Sequence, residues 1–175
     1  MSDVNLITKD LEKSFLNKVI FRNVNLDLKT GDSLAITGRN GSGKSTLLKV
    51  LANLIRPNKG KVILTDQGKE IITEKIYTYF GMIAPYINLY DELTAYENLE
   101  FFYDLKCCKK TESDKKDRLK EILNEINLYG RRNDEVKNFS SGMKQRVKLA
   151  FAVINNPRIL LMDEPRTNLD TEGID

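Results

Sequence analysis

Long apolar runs are absent from this chain of 175 residues. A membrane-spanning helix needs about 18 consecutive, mainly apolar residues, and no stretch of the sequence approaches that length. The first residues, Met-Ser-Asp-Val-Asn-Leu, also lack the basic and then apolar order of a signal peptide. The sequence therefore predicts a protein that stays in the cytosol.

Cysteine is scarce as well, because Cys107 and Cys108 are the only two. Adjacent cysteines suit neither an ordinary disulfide nor a zinc site, since both need partners elsewhere in the chain. We therefore expect two free thiols in a reducing compartment.

A large excess of one charge is also lacking. The formal net charge of +3 is too small to indicate nucleic acid, and no nucleic-acid partner is expected. Seven Lys or Arg residues against three acids form a local basic patch between Lys106 and Lys120. The patch has two interpretations, a surface for anionic lipid or a partner and a solvated helix face, and the second is favoured.

Hydrophobic residues at 41% and charged residues at 30% are typical of one globular domain with a sizeable core. Val24, Leu26 and Leu28 alternate with polar residues, which predicts a half-buried strand. The apolar run Ser33 to Thr37 stops at Gly38 and predicts a strand that leads into a glycine loop. A helix is predicted after this loop by leucines at helical spacing, Leu47, Leu48, Leu51 and Leu54.

Further strands are predicted at Val62 to Thr65, Ile76 to Ile83 and Arg158 to Met162. The last of these reads as buried on both faces. A turn is expected at Asp-Gln67-Gly. Strands that alternate with helices predict an α/β fold with a largely parallel sheet.

A segment of helical character lies between these strands. The pattern from Thr94 to Glu97 is a capping box that opens a helix with Tyr96, Leu99, Phe102 and Tyr103 on its apolar side. A second helix carries Leu119, Ile122, Leu123 and Ile126 and ends near Gly130. With a third helix after Ser140, the pattern predicts a small helical subdomain inserted into the α/β core.

The glycine loop carries the first chemical motif, since Gly38 to Ser45 matches the phosphate loop G-x-x-x-x-G-K-[ST]. Glycines let the backbone N–H groups turn toward phosphate oxygens, and the following helix points its positive end at them. Lys44 would reach the β and γ oxygens, and Ser45 would bind Mg²⁺. The predicted ATP-binding residues are Gly38, Arg39, Asn40, Gly41, Ser42, Gly43, Lys44, Ser45 and Thr46.

Two carboxylates follow the last predicted strand. Asp163 and Glu164 stand at its carboxyl end, where ligands bind in open α/β sheets. Asp163 fits the acidic residue that holds Mg²⁺, and Glu164 is placed to act as the general base toward the attacking water. A solvated acidic turn is the alternative, and the phosphate loop disfavours it.

The segment Phe139-Ser-Ser-Gly-Met143 resembles the signature motif of ABC-type ATPases. The usual Leu-Ser-Gly-Gly-Gln becomes Phe-Ser-Ser-Gly-Met, which keeps the first Ser and the second Gly. The resemblance implies that a second copy's ATP contacts this helix start in a head-to-tail dimer, through Ser140, Ser141, Gly142 and Met143. Ser140 is also an ordinary N-cap.

The resemblance covers nearly the whole chain and implies a P-loop NTPase core with a mainly parallel sheet. It adds an N-terminal antiparallel β-subdomain and an inserted helical subdomain. Within one incomplete ABC ATPase domain we expect a β-subdomain with the P-loop core (residues 1–85), a helical subdomain with the signature motif (86–150) and a core strand with both carboxylates and the D-loop (151–175). Asp170 belongs to that D-loop.

Phe15 stands where the family usually stacks an aromatic ring on adenine, and a core residue is the other interpretation. The family usually carries a Gln where Pro85 stands, so that contact is missing or is supplied by another group such as Asn88. The chain has no histidine and ends five residues after Asp170, before the family's phosphate-contacting His. We infer a truncated chain that hydrolyses ATP poorly by itself.

These features predict the ATP-binding subunit of an ABC transporter, which binds and hydrolyses Mg-ATP as a homodimer at the inner face of the cell membrane. Separate permease subunits would carry the cargo, and the segment Leu89 to Leu99 is similar to small exporters. One alternative is a soluble ABC ATPase that acts on ribosomes or DNA, although Thr94 to Phe139 is too short for the coiled coils of DNA-repair members. The other is a non-hydrolysing ATP-gated clamp, against which Glu164 argues.

Overall fold

The computed structural model describes residues 3–106 and 111–164. The chain divides into two compact units, residues 1–80 and residues 81–175. No helix within the described ranges has the length and apolarity required to cross a membrane.

The first unit is built on an antiparallel sheet. Its strands are β1 (Val4–Phe15), β2 (Lys18–Lys29), β3 (Lys59–Asp66) and β4 (Lys69–Glu70). They lie in the order β2-β1-β3-β4, so the first strand is central and pairs with strands on both sides. This sheet is the N-terminal antiparallel β-subdomain that the sequence predicts.

Alternation along β1 places one face of the strand in the core, as the two-residue period of a strand requires. Val4, Leu6 and Thr8 are buried, and the Thr8 hydroxyl donates to Val24 O and accepts from Leu26 N, at 3.0 and 2.9 Å. Beyond Thr8 the register shifts at a bulge, where Asp10 has a φ of 48°. The bulge changes the alternation, so that Leu11 is again fully buried.

The turn between β3 and β4 confirms the one predicted around Gln67. Gln67 and Gly68 have φ values of 51° and 76°, and Asp66 pairs with Lys69 across the turn. Two consecutive left-handed residues are the geometry that a two-residue hairpin requires.

The glycine loop of the first unit leads into helix α1 (Lys44–Leu51). The helix is confirmed, but it ends at Leu51, before the predicted Leu54, and Asn53 beyond its end has a φ of 59°. The predicted strand at Ser33 to Thr37 is wrong, because these residues belong to no strand or helix, and Leu34 is 47% exposed. An apolar run indicates burial, whereas a strand also needs a neighbour to complete its hydrogen-bond ladder.

The second unit contains a two-stranded parallel sheet of β5 (Phe80–Ile83) and β6 (Ile159–Met162). The strand predicted from Ile76 is therefore partly wrong, since Thr73–Tyr79 forms a 3₁₀-helix with local hydrogen bonds. Burial of β6 on both faces is also wrong. Leu161 is 7% exposed, whereas Met162 is 52% exposed, so only one face of the strand is covered.

Gly81 in β5 lies against the end of the last helix. A Cβ atom at Gly81 would lie 2.1 Å from Ala152 O and 2.8 Å from the Pro157 ring. Only glycine allows this close approach, which fixes β5 beside the chain that leads into β6.

Three helices form the core of the second unit: α2 (Ala95–Lys106), α3 (Glu112–Glu125) and α4 (Ser141–Val153). They confirm the predicted helical subdomain, although the second ends before Gly130 because Asn127 adopts a φ of 54°. Short 3₁₀-helices at Tyr129–Arg131 and Val136–Asn138 lead into the third. The fully buried core residues are Ala95, Leu99, Leu119, Leu123, Val136, Val147, Ala150 and Ile154.

Side-chain caps define where these helices begin. Thr94 and Glu97 form the predicted capping box, in which the Thr94 N–H donates to the Glu97 carboxylate at 2.8 Å. The first bond of that box lowers the pKa of Glu97, because it stabilises the ionised carboxylate. A second box, between Thr111 and Asp114, opens α3.

Two arginines join the ends of α3 and α4. Arg118 of α3 donates to Ile154 O at 2.9 Å and to Val153 O at 3.1 Å, which are the C-cap and the last residue of α4. Arg146 of α4 donates in turn to Ile126 O at 2.9 Å, just after α3. Each helix therefore supplies the donor that satisfies the carbonyl groups left unpaired at the end of the other.

Candidate functional site

The glycine loop of the first unit has the backbone that a phosphate cradle requires. Gly38, Gly41 and Gly43 have φ values of 151°, 78° and 99°, a range that side chains rarely tolerate. A Cβ atom at Gly43 would lie 2.4 Å from the Ile20 Cγ2 atom, so glycine is required here for space as well. The loop is therefore shaped by its own glycines and by a methyl group of β2.

The start of α1 fits an anion. Gly43 is the N-cap residue and supplies no side-chain cap, and the first turn holds no acidic residue. The first N–H groups of a helix lack partners within the helix and carry partial positive charge. With Lys44 at the same point, this end of the helix has the chemistry that binds a phosphate group.

Lys44 folds back over the loop that precedes it. Its ammonium group donates to Gly38 O at 2.9 Å and to Arg39 O at 3.1 Å. Phosphate oxygens would form stronger, charge-assisted bonds than these neutral carbonyl groups do. The cation is thus held next to the helix start, with Ser45 and Thr46 following in the first turn.

Phe15 lies at the end of β1, where it pairs with Lys18 across the hairpin. Its ring is 46% exposed, and the Lys13 ammonium lies 4.9 Å from the ring centroid. The ring is therefore outside the buried core of its unit and offers a face for stacking.

The two carboxylates lie in the second unit, directly after β6. Asp163 is 5% exposed, and its N–H donates to Ile83 O at 2.8 Å, which places it beside the end of β5. Glu164 is exposed and has a φ of 48°, so the chain turns sharply there. The neighbouring carboxyl ends of β5 and β6 thus bring Asp163 close to the loop that contains Pro85.

That loop contains a tyrosine next to Pro85, the position at which ABC-type ATPases usually carry a Gln. Pro85 and Tyr86 are exposed. Partial desolvation of its hydroxyl, and next the negative charge of Asp163, raise the pKa of Tyr86 above its ordinary value. Tyr86 is a site neighbour that sequence reasoning missed, since nothing in the local pattern relates it to a residue so far along the chain.

The signature segment forms the exposed start of α4. The Ser140 hydroxyl accepts from Met143 N at 3.3 Å, which confirms Ser140 as the N-cap. Ser140 and Ser141 are exposed, whereas Phe139 and Met143 are 6% and 9% exposed. The apolar residues anchor the segment, and the serines remain accessible to a ligand.

Comparison with known proteins gives the family. The family described as ABC transporter matches residues 21–167. The chain belongs to this family. Its members bind ATP, typically with Mg²⁺, and the helix start and cation around Lys44 fit that ligand.

Two relatives of this ABC chain come from Bacillus subtilis (strain 168). The uncharacterized ABC transporter ATP-binding protein YdbJ is 32% identical over 99% of this chain and 55% of its own length. The linearmycin resistance ATP-binding protein LnrL is 33% identical over 96% of this chain and 53% of its own length. The chain thus spans about half the length of the curated relatives it matches.

Solved ABC structures agree with the fold. A dimeric structure of the ATP-binding cassette MJ0796 in a post-hydrolysis state, bound to ADP and Pi, gives a TM-score of 0.78 at 29% identity. It covers 96% of this chain and 77% of that one. An ATP-binding subunit of an ABC transporter gives 0.81 at 30% identity and covers 97% and 70% of the two chains. The fold is therefore that of an ABC ATPase domain.

The ABC signature segment also has a neighbour that sequence reasoning missed. The Arg131 guanidinium lies 5.4 Å from the centre of the Phe139 ring, and its Nη1 contacts Met143 Sδ at 3.5 Å. Arg131 also pairs with Asp134 at 2.8 Å. The sequence shows a basic residue before the motif, but residue spacing alone does not indicate that it contacts Phe139 and Met143.

The roles of the predicted ABC site residues stay predictions. Asp170 of the D-loop lies outside the described residues. Lys44 belongs to the first unit and Asp163 to the second, so their convergence on one Mg-ATP is not tested by either unit alone.

Proposed function

We propose that this chain is the ATP-binding part of an ABC transporter, which binds and hydrolyses Mg-ATP in a head-to-tail dimer. The energy released would drive transport, in the outward direction, through separate membrane subunits. The observation that carries this proposal is the uncapped start of α1, with Lys44 held beside it at 2.9 and 3.1 Å from two loop carbonyl oxygens.

In this proposal the side chains divide the work of binding. Lys44 and the first N–H groups of α1 neutralise the phosphate charge. Ser45 and Asp163 hold the metal, since hydroxyl and carboxylate oxygens are the ligands that Mg²⁺ prefers. The bound metal would supply positive charge that offsets the charge of the phosphate groups. Phe15 stacks on the base.

Glu164 is the proposed general base. It follows the metal-holding Asp163 directly, and its side chain is exposed rather than packed in the core. A carboxylate in this place takes a proton from the attacking water, which makes that water a better nucleophile. Its left-handed φ of 48° is a strained conformation of the kind found at functional sites.

The dimer is proposed from the accessible start of α4. Ser140 and Ser141 are exposed, so this helix end is accessible to a ligand. The phosphate loop of the same chain has its own helix start, that of α1, and does not need this one. In the proposed dimer, the start of α4 in each copy contacts the ATP that the phosphate loop of the other copy binds. The dimeric cassette bound to ADP and Pi supports the formation of a dimer. The relative named for linearmycin resistance supports outward transport.

An exposed aromatic surface on the second unit is the proposed contact with the membrane subunit. This aromatic surface consists of the exposed Tyr90, Phe101 and Leu105 and the half-buried Phe102 and Phe151. The ring centroids of Tyr90 and Phe101 lie 5.3 Å apart, and those of Phe102 and Phe151 lie 4.0 Å apart. Tyr90, Phe101 and Leu105 are 48%, 42% and 57% exposed. Contiguous exposed apolar groups of this kind mark protein contacts.

Binding can be tested by thermal unfolding with Mg-ATP. At 100 times its dissociation constant a ligand stabilises the folded state by about 2.7 kcal/mol, so the melting temperature of the wild type should rise. Lys44→Ala should abolish the shift, whereas Lys61→Ala, which removes an exposed lysine from β3, should retain it. An equal shift in Lys44→Ala and wild type would refute the site.

Hydrolysis is tested with the full-length protein. Phosphate release should be lost in Glu164→Gln, while the Mg-ATP thermal shift is retained, because the amide cannot accept the proton. Equal phosphate release from Glu164→Gln and wild type would show that another group is the base.

A further inference from the structure

Asp91 contacts the chain on both sides of the signature segment. Its carbonyl oxygen accepts from Lys137 N at 2.9 Å, and its carboxylate pairs with Lys144 Nζ at 2.8 Å. Lys137 precedes Ser140 in sequence, and Lys144 follows Met143. One residue from the segment before α2 therefore brackets the start of α4.

Further backbone bonds continue this contact. Val136 N donates to Leu93 O at 3.0 Å, and Ala95 N donates to Asp134 O at 3.2 Å. Between them, Thr94 and Glu135 form an antiparallel bridge. The segment that carries Asp91 is thus joined along its length to the chain that leads into the signature segment.

The segment that carries Asp91 is itself fixed by a buried amide. Asn98 is fully buried, its Oδ1 accepts from Tyr90 N at 2.8 Å, and its Nδ2 donates to Tyr90 O at 2.9 Å. The same Nδ2 group lies 3.0 Å from Thr94 O. Asp91 is therefore held on a defined support rather than on a free loop.

Stability alone does not account for the ion pair. The side chains of Lys144 and Asp91 are 32% and 54% exposed, and exposed pairs contribute little to the folding free energy. The buried apolar core of the helical subdomain already holds α2 and α4 together. What the pair adds is a fixed position for the first turn of α4 relative to the segment around Asp91.

We propose that Asp91, through its two bonds to Lys137 and Lys144, is a positioning residue for the signature segment. It holds the Ser140 hydroxyl and the exposed first turn of α4 in the orientation in which they meet the ATP of the second copy. This proposal rests on the proposed function, because it assigns Asp91 to the site that the dimer forms.

Hydrogen exchange tests the positioning directly. In Asp91→Asn, the amides of residues 139–143 should exchange faster than in wild type, because the link to Lys144 weakens. The exposed acid Asp117 of α3 provides the control, and Asp117→Asn should leave that exchange unchanged. Equal exchange in Asp91→Asn and wild type would overturn the proposal, whether or not the protein hydrolyses ATP.

Kinetics with the full-length protein test the consequence. Asp91→Asn should lower kcat about threefold while KM for ATP and the Mg-ATP thermal shift stay the same, since a half-exposed ion pair has a modest effect. Reversal of both charges, Asp91→Lys with Lys144→Asp, should restore kcat. Unchanged kcat, or a rise in KM of the same size, would overturn the proposal. A wild type without hydrolysis would instead refute the proposed function.

Discussion

At the residue scale, Gly43 has two separate reasons to be glycine. Its φ of 99° lies in the region that side chains avoid, and a Cβ atom there would press on the Ile20 methyl group at 2.4 Å. Gly31 has a similar φ of 95° but nothing within 4 Å of its Cβ position. Comparison of the two positions therefore distinguishes the effect of backbone strain, which both share, from the effect of packing against Ile20, which only Gly43 has.

We predict that Gly43→Ala destabilises the chain more than Gly31→Ala does. Both substitutions cost about 1 kcal/mol in backbone strain, and only Gly43→Ala adds a steric clash. Urea unfolding of the two variants measures the difference, and Mg-ATP should produce a thermal shift only in Gly31→Ala. If the two variants have equal stability and equal shifts, Ile20 does not constrain the loop.

At the scale of elements, helices α3 and α4 depend on each other for their last carbonyl groups. The Arg118 side chain is 14% exposed and donates to the carbonyl groups of Val153 and Ile154 at the C-terminal end of α4. Its Nη1 also pairs with Glu121 at 2.6 Å, which orients the guanidinium. Burial makes these bonds significant, because a buried acceptor without a donor loses its hydration with no compensation.

We expect Arg118→Met to lower the free energy of unfolding by about 1 to 3 kcal/mol, the cost of leaving buried acceptors unpaired. Lys116→Met, on the exposed side of the same helix, should change it by less than about 0.5 kcal/mol. Urea denaturation compares the two variants. A similar small effect from both would mean that water replaces the guanidinium.

At the scale of the whole molecule, the proposed function requires a second copy and a membrane subunit. The aromatic surface is the feature that points to the latter. Phe101 and Leu105 lie one turn apart on α2 and are both exposed, although the helix has a fully buried face at Leu99.

We predict that Phe101→Ser with Leu105→Ser releases the protein from the membrane fraction of its native cells. Removal of two apolar side chains at a protein contact weakens association, while surface substitutions change folding little. Leu149→Ser removes an exposed leucine of α4 outside the aromatic surface and should leave the distribution unchanged. Membrane fractionation with immunoblotting measures the share of the protein in the membrane fraction. An unchanged distribution of the double variant would exclude the aromatic surface as the contact with the membrane subunit.

The sequence by itself determined the features whose partners lie a few residues apart. The glycine loop and α1, the Thr94 capping box and the Ser140 cap each form within one turn of chain, so residue type and spacing specify them. The tertiary structure decided the features that need distant partners. Ser33 to Thr37 has strand composition without strand structure, and Asp91 meets Lys144 across 53 residues of sequence. The physical reason is that a ladder or an ion pair exists only once packing has brought its two sides together.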